Sequence, residues 1–452
     1  MAKKREVRSI SRRDFLKAAG VGALAAGLGA NIIIPGRSLG GRKKLKILSC
    51  TKSWIPSYQK WFDSYVREWG EKNDTEVTFD YEVWGLSSRA FAEIKAQKGH
   101  DLFWYPSPPA PFEEHVIDHR EIYQECEKRY GKAVSLAVKS TYNPLTSKHS
   151  GFCLNYEANL INYRKDLWDS VGIFPNTWED IRVGGAKIKK QFGIPVGIPF
   201  SKMGIFDSRS FTRAILNSYG ASVQDEEGKV VLNSKQTLVV VKFVCALFKE
   251  AMTPEVLNWS MSSNNLSMWK GKGSLTLNPI SITRIAEDKE KLASMSKKIW
   301  LAKPPAGPVR RLAPPTVIYK YFIWKFADNI EGAKQFLVDY VGHSREAFLT
   351  SGFYHLPCFP DAVPDLKERI ANDPKADPPD KYKVLADAQE WTTNLGYPGF
   401  GNAAIGEIIS RGVITEMFAK AATGKLSPEE AINEAEARCK DIFAAWKEKG
   451  LV

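Results

Sequence analysis

The sequence predicts an α/β protein of two lobes, each a mainly parallel sheet covered by helices. Three observations carry this reading. The chain has 452 residues, too many for one ordinary hydrophobic core, so two lobes are the default. From residue 45 onward, short apolar strands alternate with amphipathic helices, the order that builds parallel sheets. The same pattern restarts at Phe152, as a second lobe would.

Residues 45–49 read as the first strand. Residues 58–73 follow as a helix with Trp61, Phe62, Tyr65, Val66 and Trp69 on one side. Residues 77–83 alternate as a second strand, 88–98 form a helix, and 102–105 are a third, fully apolar strand. Ligands of such sheets collect beyond the carboxyl ends of the strands. Here those ends carry Thr51, Lys52, Ser53 and Trp54, then Trp84, then Tyr105-Pro106-Ser107, three aromatic-bearing loops on one sheet edge. Taken singly, such aromatics are more often core than ligand contact.

In the restarted pattern, 152–156 is a strand and 160–170 has helical spacing through Leu160, Tyr163, Leu167 and Trp168. Gly172 ends that helix, Pro175 prevents immediate re-entry, and Thr177 caps the next, with Asp180 in the capping-box position. An apolar segment at 194–199, a loop at 201–209 and a helix through Phe211, Ile215 and Leu216 come next. A short hairpin is predicted around 225–228, a long helix from Ser234, and a strand at 275–277 ending at Asn278-Pro279. Beyond a strand near 317–323 and a helix at 331–340 the chain is mostly helical, closing with a helix capped by Ser427, with Pro428 and Glu430 behind it.

The formal charge of +13 is uneven. Residues 1–44 hold eleven Lys and Arg against Glu6 and Asp14, a net of +9, which leaves +4 for the remainder. With no basic aromatic stripe elsewhere, a nucleic-acid partner is not expected. The body has no apolar run long enough for a membrane span. Ser11-Arg12-Arg13-Asp14-Phe15-Leu16-Lys17, followed by a soft, glycine-rich apolar run, resembles a twin-arginine export signal. Ile47-Leu48-Ser49-Cys50 has the local shape of a lipoprotein cleavage box, but four basic residues separate it from the apolar run, so a soluble exported protein is expected. Six cysteines permit disulfides without compelling them and show no metal spacing. His115 and His119 lack the glutamate of the zinc-hydrolase pattern, and Gly271-Lys272-Gly273-Ser274 lacks the first glycine of a phosphate loop. No catalytic residue, metal or cofactor is therefore expected.

Several segments together carry a family resemblance: Leu154 to Asp180 with its Tyr-Asn, Lys-Asp-Leu, Gly-Ile and Pro-x-Thr-Trp-x-Asp run; Met268 to Asn278; Pro305-Ala-Gly-Pro308; Asn329 to Tyr340; and Gly352 to Pro357. The chain resembles the extracytoplasmic solute-binding proteins of ABC importers, the maltose-binding-protein-like group, over residues 45–450. The resemblance implies the type II periplasmic-binding-protein fold, with multiple hinge crossings and solute held between the lobes. It places 45–151 plus 281–342 in the N-terminal lobe and 152–280 plus 343–452 in the C-terminal lobe, with 1–44 as signal and basic linker. It implies a monomer that binds a small-molecule solute (a sugar, oligosaccharide or polyol), and as partners ABC importer permease subunits and the twin-arginine export machinery. The alternatives are an anionic solute such as a polyol phosphate, or an exported carbohydrate-active enzyme.

Mapped by position, the ligand-binding candidates are Trp54, Trp84 and Tyr105 from the first lobe and Asp207, Arg209, Trp259, Asn278, Tyr354, Trp391 and Asn402 from the second. A sugar would use Asp207 as acceptor, Arg209 or an Asn as donor and Trp faces against its C–H surface. An anionic solute would favour Arg209, Lys52 and helix N-termini. The plainer readings are that Asp207 and Arg209 form a surface ion pair, and that the glycine-rich run ending at Asn402 is only a turn between helices.

Overall fold

The computed structural model describes residues 42–50, 53, 55–201 and 206–452, together with the backbone of Ile32–Ile33. The expected export signal, Thr51, Lys52 and Trp54 lie outside the described residues. In chain order the strands are β1 (Ile32–Ile33), β2 (Lys43–Ser49), β3 (Thr75–Tyr81), β4 (Leu102–Trp104), β5 (Tyr142–Asn143), β6 (Lys148–His149), β7 (Phe152–Glu157), β8 (Leu160–Arg164), β9 (Leu275–Asn278), β10 (Ile299–Ala302), β11 (Val317–Ile323) and β12 (Leu356–Pro357). Among the described residues they form a seven-stranded sheet in the order β1-β3-β2-β4-β11-β7-β12, a three-stranded sheet β10-β8-β9 and the hairpin β5-β6.

Each of the two larger sheets anchors its own core. The first contains β2, β3, β4, β7 and β11, with the aromatic face of the helix Pro56–Lys72 laid on it. Tyr58, Tyr65, Val66 and Trp69 are the buried residues of that face, and the Trp69 indole donates to Asp339 at 2.8 Å. The second core gathers β8, β9 and the helices Trp178–Phe192, Phe206–Ser218, Lys235–Ala251, Val413–Ala422 and Pro428–Lys447. Much of the aromatic excess is spent on packing: Trp104, Trp168, Trp178 and Trp324 are wholly enclosed.

The sheets are mixed rather than mainly parallel. Only β3-β2-β4 run parallel, whereas β11, β7 and β12 join antiparallel and the small sheet is antiparallel throughout. The reason is connectivity. The chain leaves the first core between Leu160 and Ile161, touches it again at Ile280 and Ile285, returns between Ala302 and Val317, and leaves again between Trp391 and Ala403. A strand that enters from the other lobe, as β11 does, has its amino end where β2 and β4 have their carboxyl ends. The edge facing the second lobe therefore collects the ends of β2, β4 and β7 and the start of β11.

Two segments pack differently from the sequence expectation. Residues 160–164 form a strand, not the start of a helix, because β8 is held by β9 on one side and β10 on the other and is buried along its length, which erases any periodicity. Its helix is only Lys165–Ser170. Phe152–Glu157 pairs within the large sheet, and Phe348 through Trp391 pack on the first core, so on packing grounds the first core extends beyond the expected boundaries at 152 and 343. Local punctuation follows the sequence closely. Gly172 takes φ +68°, Thr177 and Asp180 form a complete capping box, and Ser427 and Glu430 form another.

The position of β2 also bears on Cys50. That strand pairs with β3 along its whole length and with β4 on its other side. Cleavage and lipidation at Cys50 would remove the central parallel strand, so the fold is incompatible with that anchor. Cys126, Cys153, Cys245, Cys358 and Cys439 are unbridged thiols.

Candidate functional site

Where the crossings converge, a polar cavity is lined from both cores. Cys50 and Ser53 follow β2, Glu157 ends β7, and Thr316, Val317 and Tyr319 open β11. Facing them are Phe206 and Asp207 at the start of one helix, Met261 and Asn265, and Asn278, Pro279 and Ser281 at the end of β9, with Tyr354 closing the side. A register shift between Tyr319 and Lys320 interrupts the β11–β7 ladder beside the cavity, a feature that re-aims side chains. The Tyr319 hydroxyl donates to Glu157 Oε1 at 2.7 Å.

The second wall is a chain of amides. Asn264 Nδ2 donates to Asn278 Oδ1 at 2.9 Å and to Asp207 Oδ2 at 3.3 Å. Asn278 Nδ2 donates to Ser281 Oγ at 2.9 Å, and Asn265 Nδ2 reaches the same oxygen at 3.2 Å. This network fixes the rotamers of groups that would otherwise lose orientation in the open cleft.

Both carboxyls are shifted toward the neutral form. Burial pushes Glu157 up to about 8, opposed by hydrogen bonds from Tyr319 and Tyr354 and reinforced by the charge of Asp207. Burial likewise pushes Asp207 up to about 7, opposed by the Asn264 amide. Near neutral pH each is thus partly protonated and offers a donor as well as acceptors.

Of the ten expected contacts, the structure brings Asp207, Asn278 and Tyr354 to this cavity. Tyr105 is buried with its hydroxyl 2.9 Å from Ser87 Oγ and lies near Arg209 rather than on the cavity lining. Trp84 stands half exposed outside it. Trp259 packs against Gly197, where a Cβ would sit 2.6 Å from its ring. Trp391 is buried in the first core, and its carbonyl accepts from the Ala313 N–H. Asn402 caps the helix Ala403–Ser410 through the Ile405 N–H and donates to Gln224, which also holds the Gly396 and Phe400 carbonyls, so the glycine-rich run is a braced turn. Asp207 and Arg209 do not pair: the carboxyl joins the amide network, while the guanidinium stacks over Phe206 at 5.6 Å. Trp54 lies outside the described residues.

Sequence reasoning missed Glu157, Tyr319, Phe206 and the pair Asn264-Asn265. Glu157 had a usable signal, a carboxylate closing an otherwise apolar strand, where solvation alone would not place it. His119, weighed as a metal ligand, is enclosed, with Nδ1 against the His149 carbonyl and Nε2 accepting from the Ile323 N–H, and burial holds it down to about 4. No cluster of metal-ligating side chains occurs among the described residues.

The family model for bacterial extracellular solute-binding proteins matches residues 52–351, and that for the twin-arginine translocation signal matches residues 9–29. No curated protein matches the chain in sequence. Among solved structures, maltose-bound MalE3 of T. maritima is similar at 20% identity and a TM-score of 0.72, covering 88% of this chain and 99% of its own. A sugar transporter from Arthrobacter chlorophenolicus A6 with bound laminaribiose is similar at 15% identity and 0.70, covering 89% and 99%. A solute-binding protein from Agrobacterium radiobacter K84 in complex with ribitol is similar at 17% identity and 0.68, covering 88% and 98%. At these identities the likeness is one of fold, and it extends over both cores.

Proposed function

The chain belongs to the bacterial extracellular solute-binding proteins, and on that premise we propose that it captures a sugar, oligosaccharide or polyol in the cavity between its two cores and hands it to the permease of an ABC importer. As a member of that family it is a non-catalytic binding protein, and its twin-arginine signal directs it to the extracytoplasmic space. The observation that carries the solute class is the convergence of Glu157, Asp207 and Asn278 with the rings of Tyr319, Tyr354 and Phe206 on one cavity. Protonated carboxyls and amides both donate and accept, which suits a ligand bearing several hydroxyls, and aromatic rings suit its C–H faces. Maltose, laminaribiose and ribitol in the similar structures are of that chemical kind.

Asp207, Asn278, Tyr354, Glu157 and Tyr319 are proposed to touch the solute, with Trp84, Tyr105 and Arg209 nearer the cleft mouth. Closure of the lobes about the crossings around a bound solute is a hinge movement that the monomer would present to its permease. Calorimetry against a panel of mono- and oligosaccharides, polyols and their phosphate esters, with small-angle scattering of each mixture, tests this. One class should bind one-to-one and reduce the radius of gyration. Binding without compaction would remove the hinge mechanism, and turnover of an oligosaccharide would overturn the assignment as a binder.

A further inference from the structure

Beside the cavity lies a group of side chains with several N–H donors that find no acceptor among the described residues. Phe206, on the cavity lining, carries the Arg209 guanidinium 5.6 Å above its ring and meets the Trp104 indole edge-on at 6.4 Å. Arg213 follows Arg209 by one helical turn, on the same face of the helix Phe206–Ser218. Its only hydrogen bond among the described residues runs from Nη1 to the Arg209 carbonyl at 3.3 Å. Arg209 Nε, Arg213 Nη2 and Trp104 Nε1 are each buried without a partner among the described residues. Arg213 is 5% exposed and Trp104 wholly enclosed, whereas Arg209 is half-buried and forms the open end of the group.

The charge is as unmatched as the hydrogen bonds. Neither arginine takes part in an ion pair among the described residues, whereas the buried Arg164, Arg284 and Lys381 do. Asp207, two residues before Arg209, is occupied by Asn264, and its upward shift shows no relief from a neighbouring guanidinium. Burial pushes Arg213 down to about 9, and the charge of Arg209 pushes it further in the same direction. A trapped water would satisfy the free N–H groups but would leave two like charges in a low-dielectric site uncompensated. Arg and Trp side chains offer no acceptor, so what completes the group must bring acceptors and negative charge together. Carboxylate, phosphate and sulfate all do, and a guanidinium fork matches their paired oxygens.

We propose that the solute carries an anionic oxygen group, and that Arg209 binds this group directly with Arg213 behind it as a second charge, while the hydroxyl-bearing part lies across Phe206 in the Glu157–Asp207 cavity. This rests on the cavity being the solute site. It narrows the class from neutral sugars and polyols to their carboxylated, phosphorylated or sulfated counterparts.

The test is calorimetry on the exported protein with matched ligand pairs: glucose against glucuronate, glucose 6-phosphate and glucose 6-sulfate, and ribitol against ribitol 5-phosphate. At least one anionic member should bind tenfold or more tighter than its neutral twin, and the preferred arm tells carboxylate from phosphate from sulfate. Arg209→Gln should bring the anionic ligand down towards its twin, weakening the anionic member at least tenfold more than the twin, while Arg209→Lys should keep part of the preference. As an independent reading, ligand-free Arg213→Gln should melt no lower than the wild type, because it removes an uncompensated buried charge. A clear loss of thermal stability in that variant would show the charge to be matched and overturn the proposal. If neutral sugars bind as well as anionic ones, and Asp207→Asn weakens both, the anionic inference fails and solute capture in the cavity stands. If no arm binds, both fail.

Discussion

At the residue scale the cavity is governed by two carboxyls held away from water. Glu157 and Asp207 titrate near 8 and 7 in the folded chain, against ordinary values of 4.5 and 3.8. Between those limits the folded state holds more protons than the unfolded one, so unfolding free energy falls as pH rises. The penalty is absent at about pH 4 and complete above about pH 8. Burial holds His119, His149 and His355 down to about 4, 4 and 3, and these act in the opposite direction over the same range, so the carboxyl contribution is read by difference. The melting temperature of Glu157→Gln relative to the wild type should rise from pH 5 to pH 8, giving the variant a different pH slope in thermal scans across buffers. An unchanged slope would mean that Glu157 is solvated. The amide wall yields a second prediction. Asn278→Ala removes the partner of Asn264 and the donor to Ser281, and loss of such buried bonds costs about 1–3 kcal/mol. Solute affinity should fall by about tenfold or more with the far-ultraviolet circular dichroism unchanged.

Among the elements, the helix Trp178–Phe192 shows how local grammar and packing divide the work. Thr177 accepts from the Asp180 N–H while the Asp180 carboxylate accepts from the Thr177 N–H, so two end donors are satisfied before any tertiary contact forms. Thr177→Ala should cost about 1 kcal/mol, read as a lower urea midpoint. Gly184 follows a different rule. A helical interior position ordinarily prefers Ala by about 1 kcal/mol, but a Cβ here would sit 2.4 Å from the ring of Trp168, which is wholly buried. Overpacking of this kind costs about 1–3 kcal/mol, so Gly184→Ala should destabilise despite its better propensity. The cap was legible in the sequence as Thr177 with Asp180 three residues on. The need for Gly184 was not, because Trp168 meets it from another element.

For the whole molecule, the central place of β2 makes the start of the mature chain decisive. Lys43–Ser49 pairs with β3 on one side and β4 on the other. A chain beginning at Cys50 should therefore fail to give a cooperative melt, whereas one beginning at Arg42 should melt normally. Two-lobedness itself was legible from length and from the restart of strand–helix alternation, since a chain of this size needs more than one core. Strand direction was not, because it depends on which lobe a strand re-enters from, and Val317 enters from the cavity edge.

The export address, the two-core plan and the capped ends of several helices can be read from the amino-acid order, because they depend on neighbours a few residues apart or on summed composition. It also marked Asp207, Asn278 and Tyr354 as candidate contacts, through a positional resemblance. Only the tertiary structure decided which polar groups share a cavity. Glu157 meets Tyr319 across 162 positions, and Arg209 Nε and Arg213 Nη2 find no partner among the described residues. Burial and convergence are properties of the closed crossings between the lobes, and no local run of residues contains them.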